Sequence, residues 1–236
     1  MKTIVLVGDQ AYQEQVSTTI KSILYYNKNG KIYVFNQGLS DEWFHEFNEL
    51  AEQLDSELVN VSLDQVTISP EWLTQDHITS ATYARYFIPQ FVAEERILYL
   101  DSDLVVNRDL QPLFDISLEG KLVAAVGDAG GYGFNAGVLL IDNRAWKERQ
   151  LQEAFIKETD RIMGLVQSGQ MEDFNGDQTV LNHVLAQDWL PLDKIYNLQV
   201  GHDLVAFYSG WNGHFELDQE PLIIHYTTFR KPWNSE

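Results

Sequence analysis

Apolar positions recur along this chain at two periods, and the periods alternate. Residues 2–7 form an apolar, partly β-branched run that ends at Gly8, which predicts a buried strand. Over residues 12–27, Val16, Ile20, Ile23 and Leu24 share one helical face. Residues 31–35 predict a second strand. Ser40 is placed to cap a helix reaching Leu54, with Asp41 and Glu42 in its first turn and Trp43, Phe47, Leu50 and Leu54 as its apolar stripe. Residues 57–61 predict a third strand. Such alternation implies a mostly parallel central sheet flanked by helices, an α/β fold. Further along, residues 68–77 lack regularity, residues 81–91 predict a helix interrupted by Pro89, and residues 96–100 form a strong strand signal. Strands are expected at 121–126, 137–141 and 222–225, and helices at 151–163 and 177–185 with a loop over 167–176. The stretch 201–220 is rich in Gly, Asp, His and aromatics without a period. No repeat or low-complexity linker divides the 236 residues, so one domain is expected over 1–236, with halves at 1–106 and 107–236.

Charge changes the picture. Thirty-five acidic and 16 basic side chains give a net charge of −19. Such a field repels nucleic acid and anionic lipid surfaces, so an anionic substrate would need local positive charge, from a cation or from placed Lys and Arg. Cysteine is absent, which excludes disulfides and thiolate metal sites. No apolar run reaches the roughly 7–15 residues of a signal-peptide core or the roughly 20 of a membrane span, and a cytoplasmic protein is the expectation.

The chemistry concentrates in RILYLDSDLVV. A strand runs into Asp101, Ser102 and Asp103, and alternate side chains of an extended backbone face the same way. Two carboxylates at the carboxyl end of a strand in an open α/β sheet stand where ligands bind. They suit Mn²⁺ or Mg²⁺ and leave coordination positions for diphosphate oxygens. A solvated polar strand end would look the same. So would the Asp-x-Asp-x-Val start of haloacid-dehalogenase-type phosphatases, with Asp101 as nucleophile, although that motif normally opens its domain.

Four ordered motifs, RILYLDSDLVV, FNAGVLLID, DQTVLN and HYTTFRKPW, together with VLVGDQAYQEQVSTTIKSILYYN and ITSATYARYFIP, make the chain resemble retaining glycosyltransferases of family 8, the relatives of lipopolysaccharide galactosyltransferases and glycogenin. The resemblance spans nearly the whole sequence. It implies a GT-A nucleotide-sugar-binding fold and a retaining hexosyltransferase that moves glucose or galactose from a UDP-sugar to a glycan, with Mn²⁺ as cofactor. By the motifs, Asp101, Asp103 and His225 would hold the metal, and Lys231 would contact the diphosphate. Asp9, Arg85, Ser102, Asp128, Asn135 and Ala136 would line the donor, and Asp177 and Gln178 would lie near the anomeric carbon. Ala11 replaces an Asn common in the family. His77 and Thr228 are candidates for the acceptor side, with Tyr208, Trp211 and Trp233 available for stacking on sugars. Thr228 and Phe229 depart from the commoner Gly-containing form of the last motif.

Gln178 is a weak nucleophile, so a same-face substitution is expected, with Asp177 as the carboxylate alternative. A soluble acceptor, such as a protein-attached glycan, is expected because no basic membrane-binding tail is present. A non-catalytic module that binds UDP-sugars is a further reading of the same motifs.

Overall fold

A computed structural model describes residues 1–73, 80–131, 133–171, 174–201, 219–228 and 231–234. Strand β1 (Lys2–Asp9) is followed by a 3-10 turn (Gln10–Tyr12) and α1 (Gln13–Tyr26). Then come β2 (Gly30–Gln37), α2 (Asp41–Glu52) and β3 (Glu57–Ser62). Ser40 caps α2 by accepting from Trp43 N at 3.2 Å, as its sequence position implies.

The expected helix over 81–91 is instead a 3-10 helix, Ser80–Phe87, continued by the short α3 (Ile88–Phe91). Proline explains the change. An α-helix running through position 89 would drive the ring of Pro89 against the Arg85 carbonyl and waste a hydrogen bond. The tighter helix aligns residues three apart, which brings Tyr83 and Tyr86 together edge-to-face, with ring centres 5.6 Å apart, beside Trp72.

The remaining elements are β4 (Arg96–Leu100), β5 (Leu104–Val106), α4 (Gln111–Phe114), β6 (Val123–Gly127), β7 (Phe134–Asp142), α5 (Asn143–Glu148), α6 (Leu151–Gln167), α7 (Gly176–Val184), β8 (Trp189–Leu192), β9 (Leu198–Val200) and β10 (Ile223–Tyr226). Sequence patterning does not anticipate β5, β8 or β9, which are three or four residues long and too short for a period to register.

Seven strands form the main sheet in the order β3-β2-β1-β4-β7-β6-β8. Pairing is parallel from β3 through β4 and between β6 and β8, and antiparallel where β7 meets β4 and β6. Alternate residues of each strand feed opposite faces. Ile4 and Leu6 of β1 pack with Val16 and Ile20 of α1 and with Phe47 of α2. Val5 and Val7 pack on the other face with Tyr83, Tyr86 and, from α6, Phe155. A three-stranded sheet, β5-β10-β9, adjoins the main one.

The chain proceeds outward from β1 to β3, then returns to place β4 on the other side of β1. That reversal of strand order opens a crevice beyond the carboxyl ends of β1 and β4, where open α/β sheets bind ligands. Among the described residues, no helix is long and apolar enough to cross a membrane.

Candidate active site

Beyond the end of β4 lies a cleft of about 1080 Å³. Its walls include Arg85, Asp101, Asp103, Asp128, Asn135, Ala136, Gly137, Asp177, Gln178 and His225. Asp101 is positioned by its backbone N–H, which donates to Gly137 O at 2.8 Å, and by Tyr99 Oη, which donates to Asp101 Oδ1 at 2.7 Å. Two residues later the small sheet takes over. Leu104 pairs with His225 across the antiparallel β5–β10 ladder, and Tyr226 N donates to Asp103 O at 3.0 Å. This ladder is why a histidine more than a hundred residues away lands beside the acidic pair. His225 Nε2 lies 3.1 Å from Asp103 Oδ1 and 3.8 Å from Asp101 Oδ2.

Among the described residues, Asp101, Asp103 and His225 offer ligand atoms that all lie within 4.8 Å of one another. Two carboxylates and an imidazole are a fitting set for a hard or borderline divalent ion. Ligands about 2.1 Å from a shared ion stand about 3.0–4.2 Å apart, so small side-chain movements close the set. Gly137 makes the room. A Cβ there would overlap His225 Cε1 and stand 2.6 Å from Asp101 Oδ2.

Positive charge flanks the cluster on two sides. Lys231 Nζ lies 2.6 Å from Asp103 Oδ2 and also donates to Tyr226 O. Burial pushes the Asp103 carboxyl up, but His225, by hydrogen bond and charge, and then Lys231 outweigh it and hold the group well below the usual carboxylate range. On the other side, buried Arg85 donates through Nη2 to Asp101 Oδ1 at 3.0 Å and through Nη1 to Ala136 O. Its Nε stands 2.5 Å from Asp177 Oδ2, an ion pair that lacks the alignment of a hydrogen bond. Burial lowers the Arg85 pKa, yet Asp177, Tyr99 and Asp101 raise it further, so the guanidinium stays charged. Asp177 is the member that yields. Burial raises its carboxyl to about 6, with Arg85 opposing and Asp101 adding to the rise.

Asp177 sits in the first turn of α7 but does not cap it, because it turns inward to Arg85. Gln178 is held at both ends. Its Oε1 accepts from Ala136 N at 3.0 Å, and its Nε2 donates to Asp128 Oδ1 at 3.2 Å. The other Asp128 oxygen accepts from Gly130 N, so this residue both shapes the turn and lines the cleft.

Other expected residues fall elsewhere. Asp9 caps the 3-10 turn after β1 by accepting from Tyr12 N at 3.1 Å, and it does not line the cleft. The Ser102 hydroxyl donates to Val7 O and is buried away from the cleft, because alternation sends it opposite to its two Asp neighbours. Thr228 packs against Gly201, while its neighbour Thr227 lines the cleft with a buried hydroxyl that has no hydrogen-bond partner among the described residues. Of these two successive residues, only Thr227 faces the cleft. Trp233 packs near Tyr226, away from the main cleft. His77, Tyr208, Trp211 and Phe229 lie outside the described residues. Asn197, buried behind His225, carries no motif signal, and its role emerges only from contacts.

A mixed α/β sheet with an acidic and imidazole cluster at its switch point is the architecture of GT-A glycosyltransferases, and similar proteins define it further. The chain belongs to glycosyl transferase family 8, whose family model matches residues 3–236. It is 51% identical over 234 residues to "Glycosyltransferase GlyD" of Streptococcus pneumoniae serotype 4, a match covering 99% of this chain and 29% of that one. The crystal structure of the glycosyltransferase GlyE of Streptococcus pneumoniae TIGR4 superimposes with a TM-score of 0.85 at 35% identity, over 100% of this chain and 57% of that one. The galactosyltransferase LgtC, solved with donor and acceptor sugar analogues, shares the fold at a TM-score of 0.76 and 21% identity, over 98% and 89% of the two chains. The chain thus spans between about a third and three-fifths of the length of its curated pneumococcal relatives. The chain is therefore a family 8 glycosyltransferase domain, and the phosphatase alternative has no comparable support.

Proposed function

We propose that this chain is the catalytic domain of a retaining hexosyltransferase that moves glucose or galactose from a UDP-sugar to a glycan, using Mn²⁺, with Mg²⁺ as the alternative ion. The observation that carries this reading is the Asp101–Asp103–His225 cluster flanked by Lys231. An ion held there would supply positive charge to the diphosphate as the glycosidic bond breaks. Lys231 stands beside the same point and stabilises the departing UDP, an interaction that strengthens as charge develops. Arg85 ties Asp101 to Asp177 and keeps both carboxylates oriented across the donor-sugar side. Asp128, Asn135 and Ala136 would meet the sugar hydroxyls.

The geometry favours same-face substitution. Gln178 Oε1 is occupied by the Ala136 N–H, and Asp177 is drawn back toward Arg85, so neither presents a free nucleophile. The acceptor hydroxyl then attacks from the face that UDP leaves, and a phosphate oxygen of UDP takes its proton. Residues from both sides of position 106 contribute to each of the two core clusters, which supports one continuous catalytic domain. The net charge of −19 supports a soluble glycan acceptor, such as one on a glycoprotein, over an anionic membrane surface.

The test is a panel of UDP-sugars with Mn²⁺, following UDP release with and without candidate glycans, and reading product stereochemistry by NMR. The expected result is turnover with UDP-glucose or UDP-galactose, with retention, and its loss in Asp103→Ala. Tight UDP-sugar binding with neither hydrolysis nor transfer would overturn the reading and leave a binding module.

A further inference from the structure

Behind the metal-ligand cluster, a chain of buried amides starts from a backbone group whose polarity cannot be reversed. Gly137 N–H can only donate, and it donates to Asn135 Oδ1 at 3.1 Å. The Asn135 oxygen is thereby turned inward. The Asn197 atom 2.9 Å from that oxygen must then be its Nδ2, a donor. The other end of the same amide, Asn197 Oδ1, faces His225 Nδ1 at 3.0 Å. A carboxamide oxygen only accepts, so Nδ1 carries the hydrogen. Nε2 is then the nitrogen that hydrogen-bonds Asp103 while it carries a proton, and the one that can give up that proton and offer its lone pair to an ion between Asp101 and Asp103.

Packing leaves these groups little freedom. Asn197 is 1% exposed and His225 2%. The Asn197 backbone closes the 3-10 turn Lys194–Tyr196 by donating to Lys194 O at 3.2 Å. Asn197 immediately precedes β9, which runs parallel to β10 with Gln199 opposite His225. Asn197 does not line the cleft.

We infer that Asn197 is a positioning residue that sets the tautomer and ring orientation of His225 for Nε2 metal ligation, and that its own orientation is dictated by Gly137 N–H through Asn135. The inference rests on the metal-site reading above and adds a residue that touches neither metal nor substrate. Outer groups that orient a ligating imidazole are worth about 10–100-fold in metal affinity.

The test measures Mn²⁺ binding by calorimetry on the metal-stripped full chain, with melting temperature in chelator as a check on folding. Asn197→Ala is expected to weaken Mn²⁺ binding about 10–100-fold. A second readout is independent of the variants. In ¹⁵N-histidine-labelled wild type titrated with Cd²⁺, the His225 Nδ1 should keep its proton while Nε2 takes the ion.

Wild-type affinity in a folded Asn197→Ala protein, or Cd²⁺ on Nδ1, would each overturn the inference while leaving the metal site standing. Failure of the wild type to bind Mn²⁺ would instead overturn the metal-site reading, and the inference with it. Binding that survives Asp103→Ala unchanged would do the same.

Discussion

Residue 137 lies where β7 passes beside the Asp101 and His225 side chains, and its lack of a Cβ gives them their space. Gly137→Ala would force one or both aside. Because the neighbours are a strand-end carboxylate and a buried ring, the strain is not easily relieved, and a cost of about 1–3 kcal/mol in stability is expected. The larger effect belongs to the site, with Mn²⁺ affinity expected to fall at least about tenfold, as when a ligand's orientation is lost. Calorimetric titration beside thermal melting checks both, and an unchanged dissociation constant would mean that the ligands can step aside. At this scale the sequence is informative where side chains act through a motif. Asp101, Asp103 and His225, named from their motifs, are brought together, as are Arg85, Asp177 and Gln178. It is silent on Asn197, because a buried amide in IYNLQV looks like any other, and it does not say which of Thr227 and Thr228 faces the cleft, because side-chain parity beyond β10 is visible only with the pairing register in hand.

Two elements meet through the Arg85–Asp177 pair. The 3-10 helix Ser80–Phe87 delivers the guanidinium, and the first turn of α7 delivers the carboxylate. Burial makes that carboxylate a pH-dependent burden on the fold. Its ordinary value is 3.8 and its folded value about 6, so between these pH values the folded state binds more protons than the unfolded one. Stability contributed by the protonated form is therefore full below about 4 and lost as pH rises through about 6, a swing of up to about 3 kcal/mol. Asp177→Asn removes this titration. The stability of the metal-free wild type minus that of Asp177→Asn should fall between pH 4 and 7, as read by urea unfolding at each pH. Asp103, whose carboxyl is depressed and acts in the opposite sense, is present in both proteins and cancels in the difference. A flat difference would show that Arg85 compensates the burial fully. Apolar period alone reads residues 81–91 as one helix; recognising the 3-10 segment needs the clash of Pro89 with the Arg85 carbonyl to be weighed against propensity.

At the scale of the whole molecule, the parallel region from β3 to β4 is legible, because its strands are long and separated by amphipathic helices. The reversal of direction at β7 is not, and of the small sheet β5-β10-β9 only β10 is, since β5 and β9 are three residues each and distant in sequence, and leave no period to read. That small sheet has an energetic consequence. His225 comes from β10, Asn197 stands at the start of β9, and Asp101 and Asp103 lie between β4 and β5, so the ligand cluster joins the two sheets. In the unfolded chain His225 is more than a hundred residues from the two aspartates, so the set holds an ion poorly. Binding to the folded state alone then stabilises it by mass action, about 2.7 kcal/mol when free ion is 100-fold above the dissociation constant. For a chain of this length each kcal/mol raises the melting temperature by roughly 2–4 °C, so saturating Mn²⁺ should raise it by roughly 5–10 °C over the same protein in chelator. Asp103→Ala should lose the increment. The increment arises from joining the sheets through the cluster, so it should appear without any nucleotide and grow further when UDP is added to the metal-loaded protein. A melting temperature that is the same in chelator and in saturating Mn²⁺ would mean that the cluster does not bind the ion in the folded state, and the linkage between the two sheets would fail with it.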